Sequence, residues 1–474
     1  MAEKKSSVLK DIGIYLPSKA VEGVLGILLL KLYALYMTND QYGDFSVINQ
    51  TALIIAVLFS GWLSQSVFRF AKENLSEDKH VRFNSTIFVG MALTTVMGVV
   101  VTFIATWLIM GGYDPVIPWV LGMYVFYSFV EMGNLLTTAL NMQMFTAGIS
   151  ILRGLFKAIL LIILGLMSKN MLTLFQSLML ADVLILVIIF HKTKFLKYVS
   201  FVKADKALFM TYFMFGMPII GTGLNIFLLN SSNRYVIQFL RSKAENGIYT
   251  ANYSLIAALM QLVFTGIMRA VYPNIVTFWN EGNKQATAKA LTLGYRVYYW
   301  LVLPLFVGSM VVGKQLTLTF LDAECVDGYV ILPWVILAFA FYGISEFAFK
   351  GWQLEKNTKP IFWITTVAAV ANLLISLVVV PFFGFYGAAV TSAIAFFYCA
   401  VAAIIGTRKI LRWEMHLMDY AIPALSALLM AVVVYLLGYV VPDNVLGLML
   451  QIGLGGVVYL GGLFVTGSHK KLRS

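Results

Sequence analysis

Charge is scarce in this chain. Only 12% of its 474 residues are Asp, Glu, Lys or Arg, while 60% are hydrophobic and the mean hydropathy is +0.85. A soluble protein of this length carries about a quarter of its residues as charges, because its surface must be solvated; a soluble globular fold is therefore excluded. Cysteine is almost missing too: Cys325 and Cys399 alone build neither a disulfide scaffold nor a cysteine metal site. His80, His191, His416 and His469 fall at loops or chain ends without metal-ligand spacing, and are read as solvated. No phosphate loop of the G-x-x-x-x-G-K-S/T kind occurs, so the chain is not expected to hydrolyse ATP. No catalytic constellation stands out. The chain is read as a non-enzyme without a resident cofactor or metal.

What is present instead is a succession of apolar runs, at approximately 12–36, 44–70, 83–110, 116–140, 149–168, 172–190, 208–240, 247–275, 290–313, 331–350, 361–380, 384–405, 418–440 and 445–466. A hydrocarbon core of about 30 Å takes roughly 20 apolar residues per helix, and these runs leave no room for a folded soluble domain. None alternates with period two along its length, so spanning helices are predicted. The polar, basic start from Met1 to Lys10 is followed by an apolar run lacking a small-residue cleavage site, and that run is read as a retained helix. The 208–240 run is long for one straight span; a break at Gly216-Met217-Pro218 is predicted, leaving a short interfacial piece ahead of the helix proper.

The net charge of +12 is distributed by loop. With both termini and the even-numbered loops on the cytoplasmic side, that side holds Lys4, Lys5, Lys10, Arg69, Lys72, Lys79, Arg82, Arg153, Lys157, the cluster from Lys192 to Lys206, Lys284, Lys289, Lys350, Lys356, Lys359, Arg408, Lys409, Arg412 and the Lys470–Arg473 tail, with Arg153, Lys157 and Lys350 at helix ends. The outer side holds only Lys169, Arg241, Lys243 and Lys314. Such a bias fixes an even helix count and an inside N-terminus. It also assigns the surplus charge to topology, and no nucleic-acid partner is expected. Tryptophans near helix ends, among them Trp107, Trp119, Trp279 and Trp352, fit interfacial anchoring.

The chain repeats itself. Tyr42-Gly43-Asp44-Phe45-Ser46 opens a helix closing at Ser66-Val67-Phe68-Arg69, and Asn246-Gly247-Ile248-Tyr249-Thr250 opens one closing at Ala270-Val271-Tyr272-Pro273. Gly43 to Phe68 and Gly247 to Tyr272 are equally spaced, and each unit follows a helix with an early proline, Pro17 or Pro218. Parallel repeats of this kind form two facing halves that alternate access to a site at their interface.

With the Tyr42-Gly43 pair and Arg69-Phe70, these motifs carry a family resemblance. They include Gly216-Met217-Pro218, Asn230-Ser231-Ser232-Asn233-Arg234-Tyr235, Gly247-Ile248-Tyr249, Lys356-Asn357-Thr358-Lys359 and Gly384-Phe385-Tyr386-Gly387-Ala388-Ala389. In order and spacing, from about Lys10 to Lys409, the chain resembles the multidrug/oligosaccharidyl-lipid/polysaccharide (MOP) exporter superfamily, in its polysaccharide-biosynthesis, O-antigen flippase-like branch. The resemblance implies an all-α polytopic fold of about fourteen transmembrane helices. Residues 1–200 would form one six-helix lobe, 201–410 a pseudo-symmetric second, and 411–474 a C-terminal helix pair proposed in some relatives to hold a lipid tail. It implies a cycle of alternating access and a polyprenyl-pyrophosphate-linked oligosaccharide as cargo, with membrane lipids and the pathway's polysaccharide polymerase or glycosyltransferases as partners. Asn233 departs from the pattern, since many relatives carry Asp before the Arg-Tyr; an acid role at this position is not carried over.

Charge inside a bilayer is expensive and marks function by default. Lys19, Arg69, Arg234 and Arg269 fall on helices one, two, seven and eight, which the repeat places at the lobe interface, and they are expected to converge there as a cationic cavity. Guanidinium groups bind phosphate oxygens bidentately, which suits a diphosphate headgroup. Lys19 has Glu22 on the same helix face as an alternative partner, and each arginine has the alternative of snorkelling or pairing with an acid. Glu131 and Asp182, deep in the first lobe, are candidates for H+ or Na+ coupling; the competing reading is that they neutralise Lys157 or Arg153. Glu346 is expected to pair with Lys350 one turn away.

The expected function is a flippase moving a lipid-linked oligosaccharide from the inner to the outer leaflet of the plasma (inner) membrane. The alternative is a cation-coupled multidrug or small-molecule exporter of the same fold. A membrane glycosyltransferase or polymerase would need acids or arginines on a sizeable outer loop, and the longest here is a short stretch around 314–330.

Overall fold

The computed structural model describes residues 21, 23–74, 77–411, 417–442 and 444–467. Within them the chain is helical throughout, as the apolar runs require: backbone groups in lipid must bond within their own segment. The helices are α1 (Gly23–Tyr36), α2 (Asn39–Asn74), α3 (Glu77–Met110), α4 (Ile117–Ala139), α5 (Gln143–Met167), α6 (Met171–Thr193), α7 (Lys206–Leu240), α8 (Lys243–Asn280), α9 (Lys284–Phe320) and α10 (Leu332–Leu354). Lys359–Thr407 then runs as α11 and α12 on either side of Gly384, and α13 (Leu417–Leu437) and α14 (Val445–Val465) close the chain. Among the described residues, ten stretches are long and apolar enough to cross a membrane, with α11–α12 counted as one. The protein is a multi-pass membrane protein. Large apolar side chains such as Met167, Phe382 and Val465 are exposed on its helices, which only a lipid environment tolerates over so wide an area.

Side-chain caps start the helices at tight turns. Thr38 accepts from the Gln41 amide and Gln41 returns the bond at α2; Asn170 and Thr173 do the same at α6. Ser242 caps α8 through the Glu245 amide, and Asn444 caps α14 through Gly447. These hydroxyl and amide oxygens satisfy donors that no preceding helical turn can reach. The turn between α1 and α2 is Met37-Thr38 and that between α7 and α8 is Arg241-Ser242, so the two sequence repeats begin after turns of equal length.

The chain divides into two compact units, Met1–Ser231 and Ser232–Ser474, with the boundary inside α7. In the first unit, Trp62, Leu63, Val67, Phe83, Ile87, Met91, Met132, Leu136 and Tyr212 form one buried core. The sequence predicts a break at Gly216-Met217-Pro218, whereas α7 is helical from Lys206 to Leu240. Two contacts support that stretch. Ser66 Oγ donates to the Tyr212 carbonyl at 2.7 Å, and Gly216 lies so close to α2 that a Cβ there would collide with the Trp62 carbonyl oxygen.

In the second unit, Ile237, Tyr249, Tyr253, Ile256, Tyr298, Val335, Phe347 and Ala388 belong to a common core. Gly384 separates α11 from α12 at φ 56°, a left-handed conformation that costs glycine nothing. The C-terminal pair packs on α9: Trp300, Ala427, Met430, Val434, Tyr459 and Leu463 are buried together, and Tyr459 Oη donates to the Trp300 carbonyl at 2.8 Å.

Candidate functional site

Buried charge is the feature that core packing alone does not require, and each unit handles it differently. In the first unit, α5 carries Arg153 toward α4 and α6. Its Nε and Nη2 donate to the two carboxylate oxygens of Asp182 at 2.6 and 2.8 Å, and its Nη1 donates to Glu131 Oε1 at 2.9 Å. The guanidinium also lies 5.3 Å from the Tyr127 ring centroid. The Asp182 side chain is 1% exposed and that of Glu131 39%. Three helices are thus joined by one guanidinium fork whose geometry matches a carboxylate on one edge. Lys157, one turn further along α5, has no acid within ion-pair distance among the described residues. Of the partners open to Glu131 and Asp182 in sequence, Arg153 takes both.

In the second unit, Arg234 near the end of α7 is only 7% exposed. Its guanidinium carbon sits 5.5 Å from the centroid of Tyr253 on α8, and its Nε has no hydrogen-bond partner. Among the described residues no carboxylate lies within ion-pair distance of it. Among the described residues, the guanidinium of Arg234 is met by the face of Tyr253 rather than by an acid. Asn233 explains why its neighbour does not help. Its Nδ2 donates to the Ala388 carbonyl at 2.6 Å and to Ser392 Oγ at 2.8 Å, while its Oδ1 accepts from Ser376 Oγ at 2.7 Å. Ser376 and Thr391 are 2.8 Å apart, and Asn372 Nδ2 donates to Ser232 Oγ at 3.2 Å. The amide therefore works from both ends, tying α7 to α11 and α12. A carboxylate at that position has no N–H to donate.

Arg269 lies further along α8, in a cavity of about 420 Å3 lined with Gln261, Phe264, Thr265, Met268, Tyr272, Pro273 and Lys350. Lys350 comes from α10; its Nζ donates to Glu346 at 3.3 Å and to Gln353 at 2.9 Å and stands 5.3 Å over the Tyr272 ring. The expected Glu346 pair is present, and Arg269 and Lys350 both line the cavity. Arg234 and Arg269 are not brought together: Arg234 lies on Tyr253, sixteen residues before Arg269, or roughly 24 Å along α8. Arg69, at the end of α2, pairs with Glu73 and lies 5.3 Å from the Phe70 ring, half exposed. Lys19 and its neighbour Glu22 lie outside the described residues.

The sequence alone did not single out Tyr253 beneath Arg234 or Lys350 beside Arg269. The i,i+4 spacing of Glu346 and Lys350 was visible, but the approach of α10 to Arg269 is a tertiary fact. A further ion pair, Arg296 Nη2 to Asp419 Oδ2 at 3.1 Å, joins α9 to α13, with side chains 12% and 0% exposed.

Among the described residues this is an all-helical, multi-pass fold of two units with charge buried inside each. The chain belongs to the family described as polysaccharide biosynthesis protein, which matches residues 8–279, more than half of its length. Among solved structures it is similar to a lipid II flippase MurJ in an inward closed conformation, with a TM-score of 0.72, 17% identity and coverage of 98% of this chain and 100% of that one. It is also similar to a multidrug resistance MATE family transporter in an inward-facing conformation (TM-score 0.64, 13% identity, 83% of this chain and 94% of that one). A MOP superfamily transporter from Pyrococcus furiosus, described as having a binding pocket of reversed polarity, matches at TM-score 0.60 and 12% identity, over 84% of this chain and 95% of that one. At these identities the likeness is one of fold. No curated protein sequence matches the chain.

Proposed function

We propose that this protein flips a polyprenyl-pyrophosphate-linked oligosaccharide from the inner to the outer leaflet of the plasma membrane by alternating access, with both termini cytoplasmic. The observation that carries the reading is Arg234, a buried guanidinium with no acid partner among the described residues. Burying such a charge costs several kcal/mol, a cost offset when an anion arrives. Arg269 and Lys350 add a second cationic station with aromatic and apolar walls. A diphosphate presents oxygens to such groups, and the adjoining sugar and isoprenoid present faces that stack on Tyr272 and Phe264. Membership of a polysaccharide biosynthesis family supports a sugar-bearing cargo.

Coupling to H+ or Na+ falls in this reading to Glu131 and Asp182. Glu131 is the more accessible of the two, and loss of its charge would release one arm of Arg153 while Asp182 kept the other. The decisive experiment depletes the protein and measures the leaflet distribution of lipid-linked sugars. Accumulation in the inner leaflet is expected. An unchanged distribution, with export of cationic drugs raised on overexpression, would replace the flippase by a multidrug exporter.

A further inference from the structure

Between α6 and α7 the chain runs through two short 3-10 turns, Phe195–Tyr198 and Phe201–Lys203, that cross the end of the first unit. The connection is held in place. Asn84 Nδ2 donates to the Phe195 carbonyl at 3.3 Å, the Ser200 amide donates to Ser85 Oγ at 2.8 Å, and the Asp205 amide donates to Thr86 Oγ1 at 2.9 Å. Phe195 is buried beneath it. What it presents outward is an unusual mixture. Phe201 is 72% exposed and Val202 94%, next to exposed lysines at 192, 194, 197, 203 and 206. The acid in this stretch, Asp205, already pairs with Arg82 and caps α7 through the Ala207 and Leu208 amides. Arg82, Val202, Lys203, Asp205 and Lys206 line a cavity of about 470 Å3.

Apolar side chains so exposed are costly in water, and lysines so close together repel one another unless an anion lies between them. Both problems have one solution. The connection leaves the end of the apolar helix α6, one of the stretches long enough to cross a membrane, so it lies at the membrane surface, where apolar tips enter the acyl boundary while ammonium groups stay among headgroups. We propose that the α6–α7 connection is a binding site for anionic phospholipid, with Lys203 and Lys206 on the phosphate and Phe201 and Val202 inserted among the chains. The site is separate from Arg234 and Arg269 and does not depend on what the protein transports. Its function is to fix this end of the first unit to a negatively charged leaflet.

The test uses the full chain carrying Val202→Cys, labelled with an environment-sensitive fluorophore; the native Cys325 and Cys399 are buried. The protein is reconstituted into vesicles of phosphatidylcholine alone or mixed with phosphatidylglycerol. A blue shift that is larger with phosphatidylglycerol is expected, and it should vanish when Lys194, Lys197, Lys203 and Lys206 are all changed to Gln, each lysine weakening the contact roughly fivefold. Chloride added to the unaltered lysines should remove the same increment by screening, a readout that needs no lysine variant to fold. Equal emission in the two vesicle types would overturn the proposal. So would loss of the shift on adding inorganic phosphate at matched ionic strength, which would assign the cavity to a free anion.

Discussion

Arg153 and Arg234 are the same residue type in comparable apolar surroundings, yet their circumstances are opposite. Arg153 has its positive charge met by Asp182 and Glu131 on neighbouring helices. Arg234 meets the face of Tyr253 and leaves Nε without a partner. The first arrangement is closed: Arg153 has a carboxylate on each side, and the three helices are tied together through it. The second has no carboxylate within ion-pair distance among the described residues. Arginine content would not have separated the two; what separates them is whether acids have been placed within reach.

The strongest way to break the comparison is Arg153→Ala, which strands a fully buried Asp182. Removing one partner of a buried pair costs about 3–5 kcal/mol, so the thermal midpoint of the detergent-purified protein should fall sharply. Replacing Arg153 and Asp182 together by Leu should recover much of that loss. Next in size is Arg234→Gln. Losing a charged contact to phosphate is worth roughly 1.5–3 kcal/mol, which is about 10–150-fold in apparent substrate affinity, while the thermal midpoint should hold or rise. A large fall in stability without a transport defect would move Arg234 into the same class as Arg153.

Asn233→Asp sharpens the contrast from the other side. It removes two donated hydrogen bonds and faces a carboxylate toward the Ala388 carbonyl, for a cost of roughly 1–3 kcal/mol, visible in the urea midpoint. The smallest effect belongs to Arg69→Gln. Its pair with Glu73 is half exposed, and such pairs contribute at most about 1 kcal/mol; a calorimetric scan should barely move, so any transport defect in that variant would come from contact with cargo.

Helix placement was legible because lipid makes hydrophobicity continuous along each span. The run at 149–168 became Gln143–Met167 and the run at 331–350 became Leu332–Leu354. The predicted interruption at Gly216-Met217-Pro218 was not found, and the reason is tertiary. Ser66 supplies a hydroxyl to the Tyr212 carbonyl, and Gly216 packs closely on Trp62 within the stretch that stays helical. Glu131 and Asp182 stood out as intramembrane acids, but that a single arginine would take both depended on three helices meeting. The same holds for Lys350: its tie to Glu346 follows from spacing on one helix, whereas its place beside Arg269 links residues far apart in the chain. Asn233 was noticed as a departure from a family pattern, and only its hydrogen bonds show that an amide is needed there.

The Arg296–Asp419 pair bears on how the last two helices can be studied. A stop codon ahead of Asp419 would do more than shorten the protein, since Arg296 would stay in α9 without its carboxylate and Trp300 would lose the cover of Tyr459 and Leu463. Poor complementation by such a truncation would therefore report a damaged surface as much as a missing function. Pairing the deletion with Arg296→Leu separates the two, and swapping the residues as Arg296→Asp with Asp419→Arg asks whether the seam itself matters in a chain of full length.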